Sequence, residues 1–398
     1  MITVEEALGI VLAQVPELHP EEVRLEDAAG AYLAADVTAP YDHPLFDMSA
    51  VDGYAFRFDP VVAQWKVVDQ APAGSARSTG CPPGCCVRIF TGAQMPPDTD
   101  TVVMQEFTTR TVDIMVHSDR KLVQGGNVRR QAEQVKRGEV ILRQGELLSP
   151  SAIGLLASVG VRSVPIKLAP EVAVMVTGDE FVEGDRVEPG KIFSSNGLML
   201  EAALRVEGLL SECVHVPDEV QALDSAIEQA ARFNEVVIST GGASVGDHDL
   251  VHDAVLRAGG MIHFHGVAQK PGKPMLFATV HGRPFFGLPG NPRAVLVLFY
   301  IYVLPFLRAM RGARGSGLRK ERLPLAADLL LRGDRGAFRA GRLRGGAVEL
   351  LAEEGSHMLR SMTEAQVIVH LPSTKRTWRT GEPVEVLHLP HHSNERLA

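Results

Sequence analysis

The 398-residue sequence predicts a multidomain protein of α/β plus all-β class. Its parts are a central doubly wound parallel α/β domain, an inserted β domain and a C-terminal β-barrel-like domain. Three observations carry this reading. Between residues 170 and 310, β-branched runs alternate with helical apolar patterns, the order of βαβ units. Residues 56–138 hold short β-rich runs between Gly/Pro turns, interrupting a region that is helical before residue 39 and again after residue 139. From Arg311 onward short β runs return. A chain of this length exceeds one hydrophobic core. The expected division is 1–39 with 139–169 as one discontinuous unit, then 40–138, 170–312 and 313–398.

Composition narrows the class of function. Hydrophobic content of 45% and charged content of 22% are those of a globular protein. A net charge of −8 argues against nucleic acid as the main partner. An anionic ligand would need local lysine, arginine or metal to hold it. Cys81, Cys85, Cys86 and Cys213 form no disulfide framework, and no second Cys/His pair completes a zinc spacing, so reduced thiols are expected. Met1–Glu6 has neither the basic nor the apolar segment of a signal peptide. The apolar run Ala294–Leu307, broken by Pro305, falls short of a membrane span, so no membrane association and a cytoplasmic location are expected.

Taken in order, Thr3 and Glu6 form a capping box ahead of a helix whose apolar face is Ala7, Ile10, Val11 and Val15. In Phe46–Ala55, the polar Asp47, Ser49 and Asp52 follow no solvent-face period and read as turn residues. The strands of the inserted region are expected at Gln64–Val68, Cys86–Phe90, Thr101–Phe107 and Val112–Val116. A helix is expected from Pro150. In the α/β region, strands are expected at Val172–Val176, Leu209–Val216 and Met261–Val267, and helices at Asn196–Val206, Val220–Phe233 and Arg293–Arg308. The C-terminal runs are Leu325–Leu331, Phe338–Leu343, Val348–Leu351, Val367–Leu371 and Val384–Leu387, a small barrel or sandwich. His263 and His265 share one strand face and read as a packed or surface pair; His388, His391 and His392 read as a solvated tail.

The stretch richest in chemistry is Glu235–Asp249. The buried strand Glu235–Ile238 runs into Ser239–Gly246, whose glycines let backbone N–H groups approach an anion closely. Asp249 stands where the N-cap of the helix Leu250–Arg257 belongs. Strand, Gly/Ser/Thr loop and helix start make a phosphate or oxyanion cradle. Asp247 and Asp249 at its rim would repel a phosphate unless a divalent cation lies between them, which points to Mg²⁺. In a doubly wound sheet, ligands bind beyond the carboxyl ends of the strands, where Thr177–Glu180 and Asp218 also fall. Lys270-Pro271-Gly272-Lys273-Pro274 sets two ammonium groups on a stiff frame suited to an anionic substrate. Gly287–Pro292 then opens another helix start.

Eight stretches, in one order along the chain, resemble the molybdopterin molybdenumtransferase family of the MoeA and gephyrin E-domain type. They are Phe46–Ala55, Arg88–Ala93, Asn127–Arg130, Met175–Glu180, Ile192–Asn196, Ile238–Asp249, Lys270–Pro274 and Gly287–Pro292, with Ser356-His357-Met358 and Met362 as a C-terminal signature. The resemblance implies a four-domain subunit in an elongated homodimer, with 1–39 and 139–169 as the linker and dimerisation domain and 170–312 as the molybdopterin-binding domain. It implies transfer of molybdenum from molybdate to adenylylated molybdopterin, dependent on Mg²⁺ and releasing AMP, with a molybdopterin adenylyltransferase as a candidate partner. Asp218 and Asp249 become metal-binding and catalytic groups, with Glu180 near them and Lys273 also catalytic. Lys270 and Lys273 would hold the pterin phosphate and molybdate. Ser239, Gly241, Gly242, Ser244 and Pro274 would line the substrate. Asp52 and Thr91 would come across the dimer interface, and Arg339 and Ser356 would lie at the molybdate end.

Three departures accompany the resemblance. Gln134 stands where the family has a carboxylate, Met48 replaces a common asparagine, and Arg293-Ala294 replaces Val-Ser after Gly-Asn-Pro. The lost hydroxyl removes a donor from the implied molybdate pocket, for which Arg293 compensates or which it redirects to another anion. The alternative reading is therefore a catalytically reduced paralogue that binds pterin or acts as a scaffold, or one that uses tungstate.

Overall fold

Sheet order in the centre of the chain follows from which strands can be covered on both faces. The computed structural model describes residues 1–75, 79–112, 114–117, 121–182, 186, 189–241, 250–352 and 354–390. The central strands are β1 (Val172–Thr177), β2 (Ser211–Val216), β3 (Val236–Thr240), β4 (Met261–His265), β5 (Leu276–Val280) and β6 (Arg283–Leu288). They form one six-stranded sheet in the order β2-β1-β3-β6-β5-β4. β1 and β3 are buried at every position, which is why their sequences are apolar without alternation.

Helices cover both faces. α1 (Asn196–Val206) and α4 (Pro292–Met310) pack on the side of Val174 and Ile238, whereas α2 (Val220–Phe233) and α3 (Leu250–Arg257) pack on the side of Met175 and Val237. The doubly wound expectation holds, but the sheet is not wholly parallel. β5 runs antiparallel to both β6 and β4. A hairpin turn at His281–Gly282 returns the chain directly, so no crossover helix lies between β5 and β6.

α4 spans 19 residues and is apolar and long enough to cross a membrane by composition, contrary to the expected shortfall. Its apolar surface instead lies inside the protein, because 83% of its most apolar window is buried. A π turn at Phe299–Val303, with the Leu304 N–H bonded to the Phe299 carbonyl, absorbs Pro305 without ending the helix. The first helix of the chain, Val4–Ala13, has the expected capping box and packs Ala7 and Val11 on the α4 side of the core.

Residues flanking the insertion pair with one another. Glu21–Arg24 pairs antiparallel with Ser163–Ile166, and Val37–Thr38 with Val140–Leu142. Between them a second six-stranded sheet is built around Gly53–Phe56, which lies between Cys85–Ile89 and Thr101–Met104. That strand follows the expected turn residues Asp47, Ser49 and Asp52, is buried at all four positions and shows no alternation.

The C-terminal unit is an open sheet, not a closed barrel. Among the described residues, Gln269–Lys270 heads a path through Gly336–Arg344, Val367–Leu371 and Pro383–His388 to Lys320–Pro324. The expected run Leu325–Leu331 reduces to a short pair, Leu329–Leu330 with Thr377–Trp378. Gln269 and Lys270 pair in parallel with Gly336 and Ala337, so a segment of the α/β unit forms one edge of this sheet. Phe338, Ala340, Ile368 and Leu387 join the same apolar cluster as α4 and β6.

Phe286 sits at the middle of this shared core, fully buried, with its ring 4.9 Å from Phe277 and 5.3 Å from Phe306. Phe286→Ala should lower the unfolding free energy by about 3–5 kcal/mol in denaturant titrations followed by tryptophan-independent circular dichroism.

Candidate active site

At the carboxyl edge of the central sheet, strand order reverses between β1 and β3, which opens a crevice there. On one side of it, Asp179 Oδ1 accepts the N–H of Asp218 at 3.1 Å, and His215 Nε2 lies 2.7 Å from the Gly178 carbonyl. Burial raises the Asp218 carboxyl above its usual 3.8, and the charges of Asp179 and Glu180 raise it further, with His215 opposing them in part. Three carboxylates therefore crowd the ends of β1 and β2.

The crevice floor is backbone and amide. Gly241, at the end of β3, has φ of +90°, and a Cβ there would stand 2.3 Å from the Thr177 carbonyl oxygen. Only glycine fits so close an approach. Asn196, 4% exposed at the start of α1, donates from Nδ2 to the Gly290 carbonyl at 2.8 Å and lies 3.4 Å from Thr240 Oγ1. It ties the end of β3 to the loop between β6 and α4.

Beyond that loop is a cavity of about 470 Å³ lined by Lys270, Pro271, Gly272, Lys273, Pro274, Pro289, Asn291, Ala294, Arg335, Glu354, Gly355 and Ser356. Three cationic side chains and the first turn of α4 face one space, which suits an anion. The lysine loop is held from behind. Gln269 is fully buried, accepts the Tyr302 hydroxyl at 2.7 Å and donates to the Gly272 carbonyl at 3.0 Å. Gly272 has φ of +84°, and a Cβ there would meet Leu298 Cδ1 at 2.7 Å.

The sequence-predicted residues thus fall into groups. Lys270, Lys273, Pro274 and Ser356 line the cavity, while Asp218 and Glu180 belong to the carboxylate rim and Gly241 to the crevice floor. Gly242, Ser244, Asp247 and Asp249 lie outside the described residues. Ser239 is fully buried inside β3, paired between Met175 and Gly287. Arg339 lies behind the cavity wall, its guanidinium paired with Glu354, which lines the cavity. Burial lowers it to about 10, with the charge of Arg293 adding to the shift. Asp52 Oδ1 accepts both the N–H and the hydroxyl of Thr91 at 2.8 Å, in the inserted sheet. Asp47 holds Arg130 and the Gln131 N–H, and Ser49 bonds Val51, as turn residues do. His263 bonds Thr279 and His265 stacks on His252, a packed arrangement.

Residue-level reading missed His215, Arg335 and Glu354, and named Asp179 and Asn196 only within longer stretches. Asn196 carried a signal, an Asn-Gly pair at a helix start. Arg335 and Glu354 carried none, because they reach the cavity from a separate β unit.

Two predictions follow from this geometry. Tyr302→Phe leaves the buried Gln269 oxygen unpaired and should cost about 1–2 kcal/mol of stability, measured by chemical denaturation. For Asp218 the folded-state pKa is raised, so ionisation opposes folding above that pKa and the penalty is relieved as pH falls through it. Asp218→Asn should therefore raise Tm at pH 7 in chelator-treated protein, with the gain shrinking as pH approaches the usual carboxylate value of 3.8.

Comparison with known proteins finds likeness along nearly the whole chain. Family models match in sequence: MoeA N-terminal region (domain I and II) over residues 2–160, a probable molybdopterin binding domain over 173–309, and MoeA C-terminal region (domain IV) over 322–389. The chain is 32% identical to the molybdopterin molybdenumtransferase of Haemophilus influenzae, over 97% of this chain and 98% of that protein. It is 34% identical to the molybdopterin molybdenumtransferase of a Nostoc species, over 98% and 94% of the two chains. The crystal structure of a molybdopterin biosynthesis MoeA protein from Pyrococcus horikoshii superposes with a TM-score of 0.81 at 28% identity, covering 98% of this chain and all of that one. With identity above 30% sustained from end to end, the chain belongs to the molybdopterin molybdenumtransferase family, a family of transferase enzymes.

Proposed function

We propose that this protein inserts molybdenum from molybdate into adenylylated molybdopterin, with Mg²⁺, and releases AMP. The observation that carries the reading is the cavity where Lys270, Lys273 and Ser356 face one another beside the first turn of α4. A tetrahedral dianion is held by fixed cations and by donors at a helix start, and both are gathered there. Lys270 and Lys273 attract molybdate and the substrate phosphate and orient them. Their backbone is stiffened by Pro271 and Pro274 and held from behind by Gln269, so little reorganisation accompanies binding.

The donor set at the other side of the crevice fits Mg²⁺. Asp218 is a carboxylate whose charge is disfavoured by burial and by Asp179 and Glu180, so a cation there is favoured. Mg²⁺ uses one or two carboxylates plus substrate phosphates and keeps several waters, so no all-protein cage is required. Asp218, and Asp249 in this reading, would hold the ion, which when bound neutralises charge on the bridging phosphates. Glu180 adds to the negative charge that such a cation would offset. The Asp52–Thr91 pair acts from a second copy of the chain in this reading.

AMP release from adenylylated molybdopterin, measured with and without molybdate and Mg²⁺, tests the proposal. Release that needs both is expected, and Lys273→Ala should lower kcat/KM by about 10²-fold. Tight binding of the pterin without release would replace the reading by a carrier or scaffold role.

A further inference from the structure

Arg293 follows directly on Gly290-Asn291-Pro292, and it is buried in the fold rather than turned to an open space. It is 2% exposed, on the first turn of α4. Its Nη1 donates to the backbone carbonyl of Glu354, and Nη2 reaches the Phe338 carbonyl at 3.5 Å and Glu354 Oε1 at 3.8 Å. Its backbone N–H donates to the Ser356 carbonyl at 3.0 Å. One residue thus grips both ends of the segment Glu354–Ser356, which is a wall of the lysine cavity. The neighbouring Ala294 faces that cavity and offers it no donor.

Burying two arginines against one carboxylate is a poor source of stability, since desolvation offsets most of the attraction. Its effect is geometric: a planar guanidinium whose two terminal nitrogens bond backbone carbonyls of Glu354 and Phe338, with the Glu354 carboxylate nearby, fixes the segment that supplies them. We infer that Arg293 is a positioning residue, which sets the Glu354–Ser356 wall against α4 and so determines how tightly the cavity holds a tetrahedral oxyanion. This rests on the reading of the cavity as the molybdate site. The wall and the lysine loop are carried by different units, and Arg293 is the side chain that bonds across from α4 to the wall. The wall then supplies from its own atoms what Ala294 lacks.

The test is calorimetric titration of the full-length protein with molybdate alone, beside thermal melts. Arg293→Met keeps a similar volume and leaves Glu354 paired with Arg339, so the fold should survive. Arg293→Lys keeps the charge but loses the planar fork, and covers the case in which the methionine variant fails to fold. Both should weaken molybdate binding by about tenfold. In turnover, KM for molybdate should rise with KM for the pterin unchanged. Molybdate affinity equal to that of the unaltered protein in a folded Arg293→Met would overturn the inference, as would full rescue by lysine, which would make charge rather than position the cause. Lys273→Ala separates the two levels of the argument. Loss of molybdate binding in that variant upholds the cavity assignment whatever Arg293 does, and undiminished binding overturns the assignment itself.

Discussion

The buried amide of Gln269 is the constraint on which the arrangement depends. Its oxygen takes the Tyr302 hydroxyl, its nitrogen serves the Gly272 carbonyl, and its backbone pairs with Gly336 of the C-terminal sheet. A fully buried primary amide left without partners is costly, so α4, the lysine loop and the C-terminal sheet must meet in one register to satisfy it. Arg335, a cavity residue, adds a bond to the Gln269 carbonyl at 3.2 Å. The apolar cluster shared by β6, α4 and Phe338 supplies the burial that makes this network strict. A cavity formed between two structural units is thereby made as stiff as one within a single unit.

The same sheet edge separates charge. At the ends of β1 and β2, Asp179, Glu180 and Asp218 gather negative charge, and around the lysine loop Lys270, Lys273 and Arg335 gather positive charge. Asn196 and Gly241 link the two regions with neutral, tightly packed backbone. A long anionic substrate that carries phosphates at one place and receives an oxyanion at another matches such a division, with a divalent cation needed only at the acidic end. Charge on the whole chain, −8, says nothing of this, because it averages over both regions.

Several elements were legible from pattern alone. Helices Asn196–Val206 and Val220–Phe233 were expected with the bounds they have, because one face is apolar and the other solvated. The β5–β6 hairpin was not expected, since these strands are apolar without period and β6 carries a proline and a glycine. Gly53–Phe56 carried no strand signal for the same reason: burial on both faces erases alternation. Among site residues, Lys270 and Lys273 were legible because two prolines mark a stiff frame. Ser239 and Arg339 were placed by motif, and the fold sets Ser239 inside β3 and Arg339 against Glu354, behind the cavity wall.

By itself the sequence determined the class of fold, the order of its units and the chemistry of the anion-binding loops, because these rest on local periodicity, glycine and proline placement and charge. Tertiary structure alone decided which loops share a cavity. Lys270 and Ser356 are separated in the chain by β5, β6, α4 and part of the C-terminal unit, and they meet because a short strand of one unit closes the sheet edge of the other. The role of Arg293 was decided there too. A guanidinium reads as a ligand for anions in any sequence, and only the carbonyls of Glu354 and Phe338 packed around it show that its terminal nitrogens are turned to the protein's own backbone.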